Sequence, residues 1–167
     1  MKNKYSPYLE IGIFLSACLL VFLLAYPQYK EKIEIKQRYM ITVSAYSLQA
    51  AVENYAAYNN GRFPKDLSEI EKFYTPPVNS YTQKPITTSD IQVFEYDLRT
   101  ETSNFSSDGQ NASLKGMIGG LAYGYYIAPA DSFPSSYGIV GFDNTGKPLA
   151  DKLPSGEIKV FVLNSEE

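Results

Sequence analysis

The side chains that most often carry out chemistry in proteins are scarce in this sequence. Its 167 residues include no histidine and a single cysteine, Cys18. Serine–histidine and cysteine–histidine catalysis, histidine-ligated zinc, cysteine-rich metal clusters and intrachain disulfides are therefore excluded. Catalysis would have to rest on carboxylates, lysine, tyrosine or serine, and no acid–base pair among them has a spacing typical of an active site. We therefore expect that the protein is not an enzyme.

The balance of charges also excludes a class of partner. The chain carries 15 Lys and Arg against 18 Asp and Glu, which gives a formal net charge of −3 at pH 7. Proteins that hold a nucleic-acid backbone usually carry a clear excess of positive charge. We therefore expect no dedicated binding of DNA or RNA.

One carboxylate, Glu10, stands directly before a long apolar run. The next 19 residues, up to Lys30, carry no charge. As a helix at about 1.5 Å per residue they cover roughly 28 Å, close to the hydrocarbon thickness of a bilayer. Tyrosines flank the run on both sides, as is typical of membrane–water interfaces: Tyr5, Tyr8, Tyr26 and Tyr29. We therefore predict a first domain, residues 1–29, that consists of a short N-terminal stub and a transmembrane helix.

Three fates of this segment fit its composition. A cleaved secretory signal is disfavoured, because the run is long and no Ala-x-Ala pattern comes after it. Residues 15–18 (Leu-Ser-Ala-Cys) are similar to a lipoprotein signal in which Cys18 would be lipidated, but eleven more uncharged, mostly apolar residues come after that cysteine. We favour the third fate, a retained single-pass anchor. The charges on its two sides do not fix its orientation.

The pattern beyond the apolar run predicts that the helix continues. Residues 28–58 contain neither glycine nor proline, and residues 59–61 (Asn-Asn-Gly) are typical of a helix end. Apolar residues recur at three- and four-residue spacings: Ile41, Ala45, Leu48, Val52 and Tyr55. We therefore predict one helix over residues 7–59, apolar all round in its first half and amphipathic in its second. Pro27 is expected to kink or loosen it.

The rest of the chain predicts short elements of sheet. Residues 65–73 are typical of a short helix, and the prolines of residues 75–85 indicate a loop. Apolar residues alternate in four further segments, as in strands with one buried face: residues 91–96, 120–127, 137–142 and 157–163. The predicted fold class is therefore α+β, with a long N-terminal helix packed on a small antiparallel sheet.

Two residues and three short segments together form a pattern. Pro27 comes 17 residues after Glu10, and residues 61–64 read Gly-Arg-Phe-Pro. Residues 79–85 are similar to the loop Asn-Pro-Tyr-Thr-Gly-Lys-Pro, and residues 137–147 to the hairpin Tyr-x-Ile-x-Gly-x-Asp-x-x-Gly-Lys. In this order, and spanning nearly the whole chain, they resemble the type IV pilin and type II secretion pseudopilin superfamily.

The resemblance implies a structural subunit of a filament. The chain would be anchored in the bacterial inner membrane before assembly, with residues 30–167 forming a pilin-like head outside the cytoplasm. Its partners would be other pilin-like subunits and the inner-membrane assembly platform, with Glu10 and Pro27 acting in assembly. The filament, periplasmic or on the cell surface, would serve protein secretion, adhesion, motility or DNA uptake. The alternative is a pilin-like binding module that stays tethered to the membrane and never polymerises.

The N-terminus departs from the pattern of that superfamily. Its members usually carry glycine before the prepilin-peptidase cut and Phe-Thr-Leu-x-Glu after it. With Glu10 as the fifth residue of the mature chain, the cut would fall between Tyr5 and Ser6. Neither residue matches the usual type, so cleavage by a prepilin peptidase stays open.

Some secretion pseudopilins bind calcium through C-terminal loops, and calcium favours several oxygen ligands. The carboxylates that could approach one another in such loops here are Asp131, Asp143 and Asp151. Residues 143–146 (Asp-Asn-Thr-Gly) are explained by a turn, however, and no calcium-loop spacing is present. We therefore predict neither a metal nor a cofactor.

Overall fold

The computed structural model describes residues 7–95, 114–156 and 158–165. The chain divides into two compact units, with the boundary after Lys36. The predicted domain boundary after Tyr29 refers to a different feature, the point where the helix is expected to leave the membrane. That exit point stays a prediction.

The long helix predicted from the sequence is present. Helix α1 spans Pro7–Tyr58 and ends one residue before the predicted position. The backbone turns left-handed at Asn60 (φ 57°) and Gly61 (φ 78°), and the Gly61 N–H donates to the Ala56 carbonyl oxygen over 2.8 Å. This is the physical reason for the stop, because a left-handed residue caps the last carbonyls and cannot continue a right-handed helix.

Six short strands come after α1. The predicted short helix over residues 65–73 is reduced to one 3₁₀ turn, Leu67–Ile70, and a second 3₁₀ turn spans Thr88–Asp90. The strands are β1 (Gln92–Phe94), β2 (Leu121–Tyr126), β3 (Ser136–Gly141), β4 (Ala150–Lys152), β5 (Ile158–Val160) and β6 (Val162–Asn164). They form a four-stranded sheet in the order β1-β2-β3-β6 and a separate pair, β4-β5.

The sheet differs from the prediction in two places. Strand β1 runs parallel to β2, so the sheet is mixed, whereas β2, β3 and β6 are antiparallel as expected. Residues 95–120 connect β1 to β2, and a connection of this length allows the crossover that parallel strands need. The predicted last strand, residues 157–163, is divided at Phe161, whose N–H donates to the Leu149 carbonyl oxygen over 2.8 Å. Its two parts therefore join different sheets.

One face of α1 packs on the four-stranded sheet. The predicted stripe is fully buried at four of its five positions, and Tyr55 packs partly buried at the edge of the same core. A Cβ atom at Gly141 would collide with the Cγ2 atom of Ile41, so the helix approaches β3 closely there. The sheet residues in this core include Leu121, Tyr123, Tyr137, Ile139 and Leu163.

The opposite face of the sheet is covered as well. A second buried cluster consists of Ala122, Val140, Phe142 and Val160. Alternate residues of β2 and β3 therefore belong to different cores, as the two-residue period of a strand requires. Strand β4 is tied to α1 by Arg38, whose Nη2 atom lies 2.5 Å from Asp151 Oδ1 and 2.9 Å from the Ala150 carbonyl oxygen.

Candidate functional site

The first part of α1 exposes nearly all of its apolar side chains. Residues 10–36 are exposed throughout. Soluble proteins rarely leave an apolar patch of this extent in contact with water, and such patches mark sites for lipid or protein. The largest of these side chains are Ile11, Ile13, Phe14, Leu15, Leu19, Leu20, Val21, Phe22, Leu23, Leu24, Tyr26 and Tyr29.

This stretch is long and apolar enough to cross a membrane. A helix also satisfies its own backbone hydrogen bonds, which is the condition for entering hydrocarbon. The Ser16 hydroxyl is also hydrogen-bonded within the helix, because it donates to the Gly12 carbonyl oxygen over 2.8 Å. The prediction of a candidate membrane span is therefore confirmed in its length, its composition and its exposure.

Glu10 lies in the first turn of α1 with its side chain exposed. A carboxylate is favoured there by the helix dipole and disfavoured by an apolar surrounding. Within the described part of the chain no cation is paired with it. The predicted cleavage residues Tyr5 and Ser6 lie outside the described residues, so the predicted roles of these three positions stay predictions.

Pro27 lies inside α1, which continues through it. Because proline has no N–H, the carbonyl oxygen of Leu23 lacks its usual partner within the helix. One turn earlier the rings of Phe22 and Tyr26 stack with centroids 5.4 Å apart. The predicted loosening of the helix at Pro27 during assembly stays a prediction.

A second apolar stripe, which is not among the predicted features, lies on α1 within the head. Tyr39, Val43 and Tyr46 point outward and are 65%, 38% and 53% exposed. We call these three residues the outward stripe. Their spacing of four and three residues is the same signal that predicted the buried stripe, so the sequence contained it. A single apolar face is predicted for this half of the helix, whereas the structure has two.

The loop of residues 79–85 is organised by the buried side chain of Asn79. Its Oδ1 accepts from the N–H groups of Tyr81 (2.9 Å) and Thr82 (3.1 Å), and its Nδ2 donates to the Ile118 carbonyl oxygen (2.9 Å). Gln83 has a left-handed backbone, with φ 58°. In the pilin-like pattern glycine stands at this position, and glycine adopts that conformation without steric cost.

The three aspartates considered for calcium have separate structural roles. Asp143 Oδ1 accepts from the N–H groups of Thr145 (2.7 Å) and Lys147 (3.1 Å), which closes the predicted turn. Asp151 pairs with Arg38, and the N–H of Asp131 closes a different turn. The described residues contain no group of three or more metal-ligating side chains.

The candidate site is therefore a contact surface with two separate parts, each on α1. One is the exposed apolar segment that begins after Glu10, and the other is the outward stripe in the head. Each of these two apolar surfaces is removed from water only when it contacts lipid or another protein. Comparisons of the chain with protein-family models, with curated proteins and with solved structures found no match.

Proposed function

We propose that the protein is a structural subunit of a pilin-like filament, held in a membrane by α1 before assembly. The observation that carries the proposal is α1 itself. Its first part is exposed and apolar, with Glu10 at its start, whereas one face of its second part is buried against the sheet of the head. A filament subunit needs this combination, because lipid covers the apolar helix before assembly and neighbouring helices cover it afterwards.

The backbone of the head adds support at one position of the resemblance. Gln83 is left-handed at the place where the pilin-like loop has glycine. A non-glycine residue adopts this conformation only where its surroundings impose it. The left-handed backbone at Gln83 therefore supports the resemblance, although the loop departs from the pattern at Ser80 and Gln83.

The outward stripe supports assembly in a second way. The head keeps a row of apolar side chains exposed on α1: Tyr39, Val43 and Tyr46. This row comes after the apolar run of residues 11–29 in the chain, so lipid around that run does not account for it. Neighbouring subunits of a filament would cover such a row. In this proposal the head lies outside the cytoplasm of a bacterium, the assembly platform of the inner membrane extracts the subunit, and the filament serves secretion, adhesion, motility or DNA uptake.

Glu10 has a defined role in this proposal. When helices bundle outside lipid, its carboxylate enters a surrounding of low dielectric constant and needs a cation of a neighbouring subunit. The resemblance implies that this cation is an N-terminal amine. Removing one member of such a pair leaves the other charged and uncompensated, which is strongly unfavourable. Glu10→Ala should therefore block assembly while leaving membrane insertion and the folding of the head intact.

Crosslinking in the native host tests this role. Cys18→Ser and Lys152→Cys together leave one thiol, at an exposed position of the head. With one thiol in each subunit, a bis-maleimide can join subunits only in pairs. It should therefore give a covalent dimer for this parent and for Glu31→Ala, a matched loss of charge further along α1. Glu10→Ala should give monomer only, although the protein still resists extraction by alkaline carbonate. Equal yields of the crosslinked dimer for all three would remove Glu10 from the mechanism.

The same experiment separates the filament from the tethered module. A non-polymerising module predicts no crosslinked dimer in the parent and no effect of Glu10→Ala. Mass measurement of the N-terminus of the extracted protein adds an independent readout. Loss of residues 1–5 would show processing between Tyr5 and Ser6, and a diacylglyceryl mass on Cys18 would show a lipoprotein anchor instead.

A further inference from the structure

A cleft opens in the head where α1 ends, apart from both the exposed apolar segment and the outward stripe. Its volume is about 310 Å³, at the lower end of the range for small-molecule sites. It is lined by the last turn of α1, by Arg62 and Phe63 of the adjoining segment, and by Phe133 between β2 and β3. We call this space the α1-end cleft.

Two cations line the α1-end cleft. The Arg62 guanidinium lies over the Phe133 ring, 3.9 Å from its centroid. This contact holds the guanidinium plane in place and leaves its edge available for a planar anion, to which arginine can donate two parallel hydrogen bonds. Lys65 adds an ammonium group. Among the described residues neither cation is paired with a carboxylate.

The one carboxylate of the cleft, Glu69, is already engaged. One of its oxygens accepts from the Tyr55 hydroxyl, and the other accepts from the Asp66 N–H over 3.4 Å. The hydrogen bond to Glu69 raises the pKa of Tyr55 to about 12, so this hydroxyl remains a donor at neutral pH. The cleft therefore carries two cations against one carboxylate that is satisfied within the protein, and it favours an anionic ligand.

The other residues that line the cleft indicate what kind of molecule carries the anionic group. Tyr58 is 76% exposed, and its ring stacks on Phe73 with centroids 5.4 Å apart, which leaves the opposite ring face open. The cleft is also partly open to solvent. A ligand there keeps one side in water, which suits a ring that has hydroxyl groups on that side and C–H groups towards the tyrosine. An apolar body would instead leave its own surface exposed to water.

We propose that the α1-end cleft binds an acidic saccharide. The sugar carboxylate pairs with Arg62 and Lys65, and the C–H face of the ring lies on Tyr58. The side-chain amides of Asn59 and Asn60 bond the hydroxyl groups. The site lies wholly within the head and requires no contact between subunits, so it is independent of polymerisation.

Calorimetric titration of the full-length protein in detergent tests the site. The probes are a trisaccharide of galacturonic acid and the neutral trisaccharide of galactose. The acidic trisaccharide should bind at least about tenfold more tightly, since one charge-assisted pair is worth that factor or more. Its affinity should fall as the salt concentration rises, because the cations are exposed.

Variants then locate the site. Arg62→Gln and Lys65→Gln should each weaken binding of the acidic trisaccharide about tenfold, and Tyr58→Ala should weaken it as well. Lys84→Gln removes the same charge from an exposed position outside the cleft and should change nothing. All four side chains are exposed, and thermal melting verifies that each variant is folded.

Three results would overturn the proposal. The acidic trisaccharide could give no heat, the neutral one could bind equally well, or the cleft variants could bind as the parent does. Sulfate or acetate binding as tightly as the acidic trisaccharide would identify a simple anion site and also exclude a saccharide. None of these results bears on the filament proposal, whose test rests on Glu10.

Discussion

Two residues of the loop 79–85, Asn79 and Gln83, affect the stability of the head in different ways. Asn79 is buried without penalty because three hydrogen bonds satisfy its amide. Gln83, four residues later, is held left-handed, which costs a non-glycine residue about 1 kcal/mol or more. The side chain of Gln83 offsets little of this cost, because its hydrogen bond from Nε2 to the Ser80 carbonyl oxygen is exposed to water. The left-handed conformation of Gln83 therefore lowers the stability of the head.

Gln83→Gly should therefore stabilise the head. Relief of the left-handed strain outweighs the added freedom of glycine in the unfolded chain, so we expect a gain of about 0.5–1 kcal/mol. Thermal melting followed by circular dichroism measures it as a rise of a few degrees in Tm. Lys84→Gly, at a neighbouring residue without a left-handed backbone, is the control and should destabilise. A lower Tm for Gln83→Gly than for the parent would contradict the strain argument.

At the scale of elements, α1 serves two purposes within the head. The buried stripe faces the sheet, and the outward stripe leaves Tyr39, Val43 and Tyr46 exposed. Helices that pack on one sheet usually carry polar residues on the other face, so a second apolar stripe indicates a second partner. The stability of the head should depend on the first stripe alone.

Leu48→Asp tests this division. Leu48 is fully buried, so aspartate there would place an unpaired charge in the core and remove several kcal/mol of stability. A small domain has only about 5–15 kcal/mol to lose. Ala50→Asp introduces the same charge two residues away on an exposed position and should leave Tm within a few degrees of the parent. If Leu48→Asp melted with the parent, the stripe would not face the sheet.

At the scale of the whole molecule, the head relies on tyrosines where many domains rely on aliphatic residues. The hydroxyl of Tyr123 donates to the Pro64 carbonyl oxygen and that of Tyr74 to the Ile86 carbonyl oxygen, both over 3.0 Å. The Tyr137 hydroxyl donates to the Glu53 carboxylate. Burial is the main cause that raises the pKa of Tyr74, Tyr123 and Tyr137 above the ordinary value of 10.0.

The stability of the head should therefore fall in alkali. Each raised pKa means that the unfolded chain loses its proton first, so the contribution is complete below pH 10 and declines as the pH rises above it. These three groups together contribute a slope on the order of 4 kcal/mol per pH unit at most. Tyr55 and Tyr125, whose pKa values are also raised, add to it. Melting curves between pH 7 and 11.5 measure the slope, and absorbance at 295 nm should show these tyrosines ionising only as the head unfolds.

Tyr137→Phe should make this decline shallower, because it removes one of the three groups. Tyr58→Phe is the matched control, since Tyr58 is exposed, and it should leave the slope unchanged. Equal slopes for the parent and Tyr137→Phe would show that the hydroxyl of Tyr137 ionises as easily in the folded head as in the unfolded chain.

The pattern of amino acids is enough to predict the features that repeat along the chain. Helical spacing predicted the buried stripe of α1, and residues 59–61 predicted the left-handed stop at Gly61. The apolar run after Glu10 predicted an exposed segment long enough to cross a membrane. These are local properties, since the period of a helix and the conformations open to glycine depend on neighbouring residues alone. The membrane role and the pilin-like assembly remain proposals.

The pairing of distant segments, in contrast, is visible only in the folded chain. Alternation predicted β1 as a strand but not its parallel pairing with β2, and residues 157–163 gave no sign that Phe161 divides them between two sheets. The ion pair of Arg38 with Asp151 and the contact of Arg62 with Phe133 likewise join residues far apart in the chain. Periodicity shows which face of an element is apolar, but its partner depends on how all the buried faces pack together, and one segment does not contain that information.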